Sequence, residues 1–150
     1  MNRILAIIVT IAWGLWFGGM IALFLFVTRL FAADMGPQAA PVLFQAFEIY
    51  QLVVGAITLI AALGWYYSSH SRCRAGLLIL LILAGIAAVT STTLITPRIN
   101  ELRLQGQTKT DEFRKLHGRS MMVYSSEAVL LLLGGIAIGL ESRPETPAVS

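Results

Sequence analysis

Four long stretches of the chain are almost entirely apolar, and short polar segments separate them. They run from Ile4 to Thr28, from about Pro41 to Tyr67, from Ala75 to Thr96 and from Met121 to Leu140. Each approaches or exceeds the ~20 residues that a helix needs to cross ~30 Å of hydrocarbon. The pattern predicts an all-α membrane protein in which four transmembrane helices pack as a bundle, with both termini on the same side.

The first apolar stretch follows Arg3 and therefore resembles a secretory signal peptide at first sight. It is much longer than the ~7–15 residues of a signal-peptide apolar region, and no A-x-A cleavage site follows it. We therefore expect an uncleaved first helix.

The polar segment before the fourth stretch has the features of a helix start. Thr110 is followed by Asp111 and Glu112, which is typical of an N-cap with acidic residues in the first turn. The third and fourth helices are therefore expected to extend beyond the membrane as a hairpin. Residues 1–140 form one four-span domain in this interpretation, and residues 141–150 form a short disordered tail.

Composition supports lipid as the outer solvent. Apolar residues make up 57% of the chain and charged residues 13%, whereas a soluble domain has about 25% charged residues. The net charge of +3 is too small and too scattered to predict nucleic-acid binding. The single cysteine, Cys73, excludes an intramolecular disulfide and a CxxC metal site. Basic residues are more numerous in the first and third loops, which favours termini outside the cytoplasm.

Polar residues inside the predicted spans collect in one half of the membrane. Antiparallel threading places the ends of the first and third spans beside the beginnings of the second and fourth. That half contains Gln45, Glu48, Gln51, Thr90, Ser91, Thr92, Thr93, Thr96, Tyr124, Ser125, Ser126 and Glu127. The other half is almost wholly apolar.

Two carboxyl groups within hydrocarbon are the sharpest feature of the sequence. Glu48 and Glu127 each lie six or seven residues into a span, roughly 10 Å below the same membrane surface at 1.5 Å per residue. Both lie on the helix face that carries small or polar residues, which membrane helices turn toward one another. Arg29, Arg98 and His117 leave or enter the spans at that surface, so they are candidate partners.

Two interpretations of these residues remain open. In the first, a water-filled polar vestibule, open to one side, binds or moves a small solute or cation. Its candidate lining residues are Glu48, Glu127, Arg29, Arg98, His117, Tyr124 and Gln45. In the second, the protein is a structural or assembly factor, and Glu–Arg pairs only fix the order of the helices.

Other chemistry is not indicated. His70 and His117 fall in loops on opposite membrane faces, which argues against a haem held between two histidines. His117 and Glu127 are about 15 Å apart along one helix, so we expect no metal site there. No catalytic motif is present, and we expect neither an enzyme nor a cofactor. Trp13 and Trp16 are interpreted as packing and interfacial aromatic residues.

The first span also carries Gly14, Gly18 and Ala22 at the spacing that allows close helix packing. We expect this stripe to pack inside the bundle, and it is also a candidate surface for a homodimer.

Several short motifs at the helix ends resemble a known family. They are Ala12-Trp13-Gly14, Leu43-Phe44, Pro97-Arg98 and Phe113 followed by His117-Gly118 and Ser120. Together they resemble the transmembrane protein 205-like family, a domain of unknown function (DUF4149), over roughly residues 4–140. The resemblance implies a four-helix membrane protein without an established activity. Its marked positions here are Pro97, Arg98, His117, Gly118 and Ser120.

One position departs from the family pattern. Tyr124 stands where the resemblance implies an asparagine, so a role for that amide is not expected here. The short third loop resembles compact bacterial members of the family, which favours a bacterial inner membrane as the location.

Overall fold

The computed structural model describes residues 2–141 as a bundle of long helices. They are α1 (Asn2–Ala32), α2 (Gly36–Ser68), α3 (Arg72–Thr90), a π-helical segment (Ser91–Ile95), α4 (Thr96–Leu104) and α5 (Asp111–Glu141). The predicted four-helix membrane fold is confirmed, since α1, α2, the continuous α3–α4 helix and α5 are long and apolar enough to cross a membrane. The side on which the termini lie stays a prediction, and residues 142–150 of the predicted tail lie outside the described residues.

The four spans form a closed ring in chain order. α1 packs on α2, α2 on α3 and α3 on α5, and a lighter contact between α5 and α1 closes the ring. Large apolar side chains cover the outer faces of all four spans, as expected for helices surrounded by lipid. The interior contains Leu77, Leu81, Ala84 and Leu131, which are almost completely buried.

The second helix begins earlier than the hydrophobic pattern indicates. α2 starts at Gly36, so Pro41 lies inside the helix instead of at its start. Pro37 occupies the first turn, where a backbone N–H would have no helical partner and a proline therefore fits. Asp34 adopts a left-handed conformation (φ 56°) in the tight turn from α1.

The helix of the third span continues past Pro97, in agreement with the prediction that it extends beyond its apolar stretch. The backbone N–H of Thr96 donates to the carbonyl of Ser91, five residues back, and the chain continues as α4 to Leu104. This wider turn is a π-bulge, a local widening of the helix that is frequent at functional sites. Pro97 then lies in the first turn of α4, where its missing N–H and its ring are tolerated.

The end of the bundle far from the π segment is tied by polar contacts that join three helices. Arg74 at the start of α3 forms an ion pair with Glu141 (Nε–Oε1 2.7 Å), and its guanidinium stacks on the Trp65 ring of α2 at 4.8 Å. The Ser71 hydroxyl accepts from the Arg74 N–H and donates to Glu141. Glu141, which the sequence analysis assigned to the tail, is therefore the last residue of α5.

The predicted small-residue stripe of α1 does not pack inside the bundle. A Cβ atom at Gly14 or Gly18 would meet no neighbour within 4 Å. Close packing occurs elsewhere: Gly55 lies against the Trp16 ring, and Gly135 lies against the Trp13 ring. The expectation for the stripe inside the bundle was therefore wrong, and a homodimer through this face stays a prediction.

Candidate functional site

The Glu48 carboxyl group lies inside the bundle and is held from two neighbouring helices. Its side chain belongs to α2 and is 4% exposed. Glu48 Oε1 accepts hydrogen bonds from the Thr96 hydroxyl, directly after the π segment, and from the Tyr124 hydroxyl of α5 at 3.2 Å. Both donors are neutral, so they satisfy the oxygen without supplying a compensating charge.

The Glu127 carboxyl group is completely buried, with 0% exposure. Its Oε1 accepts a hydrogen bond from the indole N–H of Trp16 on α1 at 3.0 Å. Its Oε2 has no hydrogen-bond partner among residues 2–141. One oxygen of this carboxyl group is therefore buried without compensation, which is unusual in a native interior.

Tyr124 connects the two carboxyl groups. It lies three residues before Glu127 on α5, which places both side chains on the same helix face. Its hydroxyl donates to Glu48 and also lies beside the Ser91 hydroxyl of the π segment. Glu127 is thus about one helical turn deeper than Glu48 in the same half of the bundle.

Four completely buried side chains with polar atoms lie in this half of the bundle, and Glu127 is one of them. Each span contributes one of them: Trp16 from α1, Gln51 from α2, Ser91 from the α3–α4 helix and Glu127 from α5. Gln51 differs from a typical buried amide because neither Nε2 nor Oε1 has a hydrogen-bond partner in the described part of the chain. We call these four residues, together with Glu48, Thr96 and Tyr124, the polar cluster.

The Trp16 indole marks the boundary between the polar and apolar halves of the interior. Its N–H reaches Glu127, while the opposite edge of its ring lies against Gly55 on α2. Because Gln51 precedes Gly55 by one helical turn, its amide lies on the polar side of the indole. On the other side the core consists of apolar residues such as Leu81 and Leu131.

Residues 2–141 do not form the water-filled polar vestibule that the first interpretation of the sequence expects. Glu48 and Glu127 are buried, so they do not line a surface that water reaches. Two grooves on the outer faces of the bundle border the cluster instead, and both have mainly apolar linings. One of about 320 Å³ reaches Tyr124 between α1 and α5, and one of about 500 Å³ reaches Gln51 between α2 and α3.

Within residues 2–141, no arginine forms the expected pair with Glu48 or Glu127. Arg98 turns outward and forms an ion pair with Glu101 of its own helix (2.6 Å) and another with Glu112 (2.8 Å), which joins α4 to the start of α5. Arg29 is exposed and makes no ion pair with a described residue. The basic side chains remain at the surface because water solvates them there, whereas the neutral donors satisfy the carboxyl oxygens inside.

The remaining candidates from the sequence lie outside the cluster. Gln45 is exposed on α2, and His117 is exposed and stacks on Phe113 with parallel rings 6.2 Å apart. Pro97 is exposed, and Gly118 is partly exposed. Ser120 is buried, but it makes no contact that joins it to the carboxyl groups.

Within residues 2–141, no group of three or more His, Cys, Asp or Glu side chains is arranged to hold a metal ion. The cluster instead combines two carboxyl groups with hydroxyl, amide and indole groups. Such a set can accept and donate hydrogen bonds and can take up positive charge.

Comparison with known proteins identifies the family. A family model described as "Domain of unknown function (DUF4149)" matches residues 11–108, well over half of the chain. The protein belongs to this family. No curated protein and no solved structure matches the chain.

The DUF4149 match covers only part of the polar cluster. Trp16, Glu48, Gln51, Ser91 and Thr96 fall within the matched residues, as do Pro97 and Arg98. Tyr124 and Glu127 lie beyond residue 108, and so do the predicted motif positions His117, Gly118 and Ser120. The α5 side of the cluster is therefore a property of this chain that the family match does not address.

Four members of the cluster were not among the candidate residues from the sequence. Gln51, Ser91 and Thr96 were recognised only as part of the polar half, and Trp16 was interpreted as a packing or interfacial residue. Interfacial tryptophans lie near the ends of a span, but Trp16 lies about halfway along α1. An indole at mid-membrane depth needs a hydrogen-bond acceptor. The position of Trp16 in the sequence could therefore have predicted that it has a polar partner.

Proposed function

We propose that this integral membrane protein binds a small cation, the proton included, at Glu48 and Glu127 inside the bundle. One observation carries the proposal: both carboxyl groups are buried, and no basic side chain that the structure describes pairs with either. An ionised carboxylate without a compensating charge is very unfavourable in a low-dielectric interior. Each group therefore needs a bound proton or another cation, and the cluster supplies neutral hydrogen-bond donors around it.

The proposal describes a binding protein rather than an enzyme. The hydrogen bonds of the cluster join carboxyl groups to Thr96, Tyr124 and Trp16, and none activates a nucleophile. Movement of the cation across the membrane would further require that the closed cluster open to each side. The transmembrane protein 205-like resemblance and a bacterial inner-membrane location belong to this proposal and rest on the sequence alone.

A structural role is the second candidate, and one observation favours it. The hydrogen bonds of Glu48 and Glu127 join α2 to α4, α2 to α5 and α1 to α5. Such interhelical bonds are worth about 0.6–2 kcal/mol each in membrane proteins. In this alternative, the carboxyl groups serve as fixed acceptors that set helix order, and their loading with a cation has no further consequence.

Labelling with dicyclohexylcarbodiimide separates the two candidates. This apolar reagent reacts with protonated carboxyl groups in apolar surroundings. Purified protein in detergent is labelled over a range of pH, with sodium, potassium or calcium added or removed at constant ionic strength. Peptide mass spectrometry then locates the label, and the exposed Glu101 and Glu112 report non-specific reaction.

We expect label on Glu48 or Glu127 that decreases when its cation is replaced. A rise in pH decreases it if the cation is a proton, and an added metal ion decreases it if that ion binds. Glu48→Gln and Glu127→Gln each remove the label from one position. If neither carboxyl group reacts under any of these conditions in folded protein, the cation-binding proposal is wrong and the structural role is favoured.

A further inference from the structure

We propose that the bound cation is a proton, and that Gln51 is the residue that accommodates Glu127 in both its protonated and its ionised state. This inference rests on the proposed function and names the cation that the site takes. It also gives a role to the one buried amide of the cluster whose polar atoms are all without partners.

The available space favours a proton over a metal ion. The unpartnered oxygen of Glu127 and both polar atoms of Gln51 have essentially no accessible surface. A metal ion needs a cavity and several oxygen ligands; Ca²⁺, for example, takes roughly six to eight. A proton needs neither, because it becomes part of the carboxyl group that binds it.

The donors around the carboxyl groups support the same choice. The Trp16 indole and the Thr96 and Tyr124 hydroxyls direct hydrogen atoms at the carboxyl oxygens. Hydrogen atoms that point at these oxygens occupy positions that a metal ion would need. Glu127 Oε2 is the one oxygen of its carboxyl group that no such donor engages, so it is the atom that we expect to carry the proton.

The chemistry of an amide explains why a glutamine suits this position. A protonated carboxyl group donates a hydrogen bond, whereas an ionised one only accepts. A carboxamide offers a carbonyl oxygen to the first state and N–H groups to the second. Gln51 borders the same groove as Trp16, which holds the other oxygen of Glu127. In this proposal, the Gln51 side chain rotates so that its amide reaches Oε2.

Few titratable groups face Glu127. Glu48 on α2 and Tyr124 on its own helix are the two that interact within the cluster. α1 and the α3–α4 helix present the uncharged side chains Trp16, Ser91 and Thr96. The charge of Glu127 therefore responds mainly to proton binding at Glu127 itself.

Tryptophan fluorescence tests the inference, because the Trp16 indole donates directly to Glu127. Emission is recorded in detergent while the pH is changed at constant ionic strength, and then while sodium, potassium or calcium is added at constant pH. The same titrations on Glu127→Gln provide the background from the other tryptophans. We expect an emission change that follows pH, is absent in Glu127→Gln and does not respond to the metal ions.

The Gln51 part of the inference has its own variants. Gln51→Met keeps the approximate volume and removes the amide, so ionised Glu127 loses a donor. Protonated Glu127 loses an acceptor as well, but a hydrogen bond to a neutral group is weaker than one to a charged group. We therefore expect Glu127 to bind its proton about tenfold more tightly, which is the difference between the two lost bonds. Gln51→Asn, whose amide is too short to reach, is expected to act in the same direction. Thr58→Val is the control, because it removes a buried hydroxyl that bonds within its own helix. It should leave the pH midpoint of the emission change unaltered.

The outcomes separate this inference from the proposed function. An emission change on addition of a metal ion at constant pH would overturn the inference that the cation is a proton, but the proposal of cation binding would stand. A response to neither pH nor metal ions would overturn both. If folded Gln51→Met and Gln51→Asn show the wild-type midpoint of the emission change with pH, Gln51 is not part of the site. The titrations of the wild-type protein decide the identity of the cation even if these variants do not fold.

Discussion

At the scale of single residues, the Glu127 carboxyl group can act in two ways inside the bundle. It can accept a hydrogen bond, and it can carry a charge. Glu127 accepts from Trp16 through one oxygen and leaves the other without a partner. A neutral amide can also accept the hydrogen bond from Trp16, but it cannot carry the charge that binds a cation. Substitutions at this one position therefore separate packing from cation binding.

We predict that Glu127→Gln folds with nearly wild-type stability, because the amide oxygen still accepts from Trp16. Glu127→Leu should be destabilised by about 1–3 kcal/mol, since the indole N–H is left buried without a partner. Thermal unfolding of the two variants in the same detergent makes the comparison. Equal destabilisation of both would mean that the fold itself requires the carboxylate, contrary to the role proposed for Glu127.

The same residue scale shows how far the sequence predicted the site. The burial and shared half of Glu48 and Glu127 follow from their depth in apolar stretches. Their partners do not, because the hydrogen bonds depend on which side chains of other helices meet them. Arg29 and Arg98 lie at a suitable level in the sequence, yet the surface solvates them and the hydroxyls of Thr96 and Tyr124 take the interior positions.

At the scale of helices, the four spans and the polar extensions of the last two were predictable, whereas the early start of α2 and the π-bulge were not. Hydrophobicity marks where a helix crosses lipid, but the helical turns outside the hydrocarbon carry polar residues, as in α4 and the beginning of α5. Pro97 follows the third apolar stretch, and it cannot donate a backbone hydrogen bond. The π-bulge before it allows the helix to continue, and it places Thr96 against Glu48.

Helix packing gives a second prediction, which concerns α1 and α5. The Trp13 ring is fixed by a hydrogen bond to the Leu131 carbonyl (2.7 Å) and by stacking on Phe17. A Cβ atom at Gly135 would lie 2.2 Å from that ring, whereas one at Gly139 would meet nothing within 4 Å. We expect Gly135→Ala to destabilise the protein by about 1–3 kcal/mol through overpacking.

Gly139→Ala on the same helix is the matched control for this prediction, and it should be neutral or slightly stabilising because alanine favours a helix. Thermal unfolding in detergent again provides the measurement. If the two variants behave alike, α1 does not pack on α5 through Trp13, and the position of Trp16 beside Glu127 would also be in doubt.

At the scale of the whole molecule, the two ends of the bundle are held differently. The end beyond the apolar half is tied by the Arg74–Glu141 pair, with the Arg74 guanidinium over Trp65. In the other half, neutral hydrogen bonds to carboxyl groups join the helices, and the π-bulge interrupts the regular helix. A change of cation occupancy is therefore expected to loosen the polar half first, while α2, α3 and α5 stay joined at the tied end.

The strength of the tied end can be measured by a double-mutant cycle with Arg74→Met and Glu141→Gln. Both side chains are mostly buried, at 14% and 16% exposure, so solvent screens the pair weakly. We expect a coupling of about 1–2 kcal/mol, above the ~0.2–1 kcal/mol of exposed pairs. The Arg114–Asp111 pair, which is 74% and 77% exposed, is the control and should show almost none. Equal coupling in the two cycles would mean that Arg74 and Glu141 do not hold the helices together. The expectation that the polar half loosens before the tied end would then be wrong.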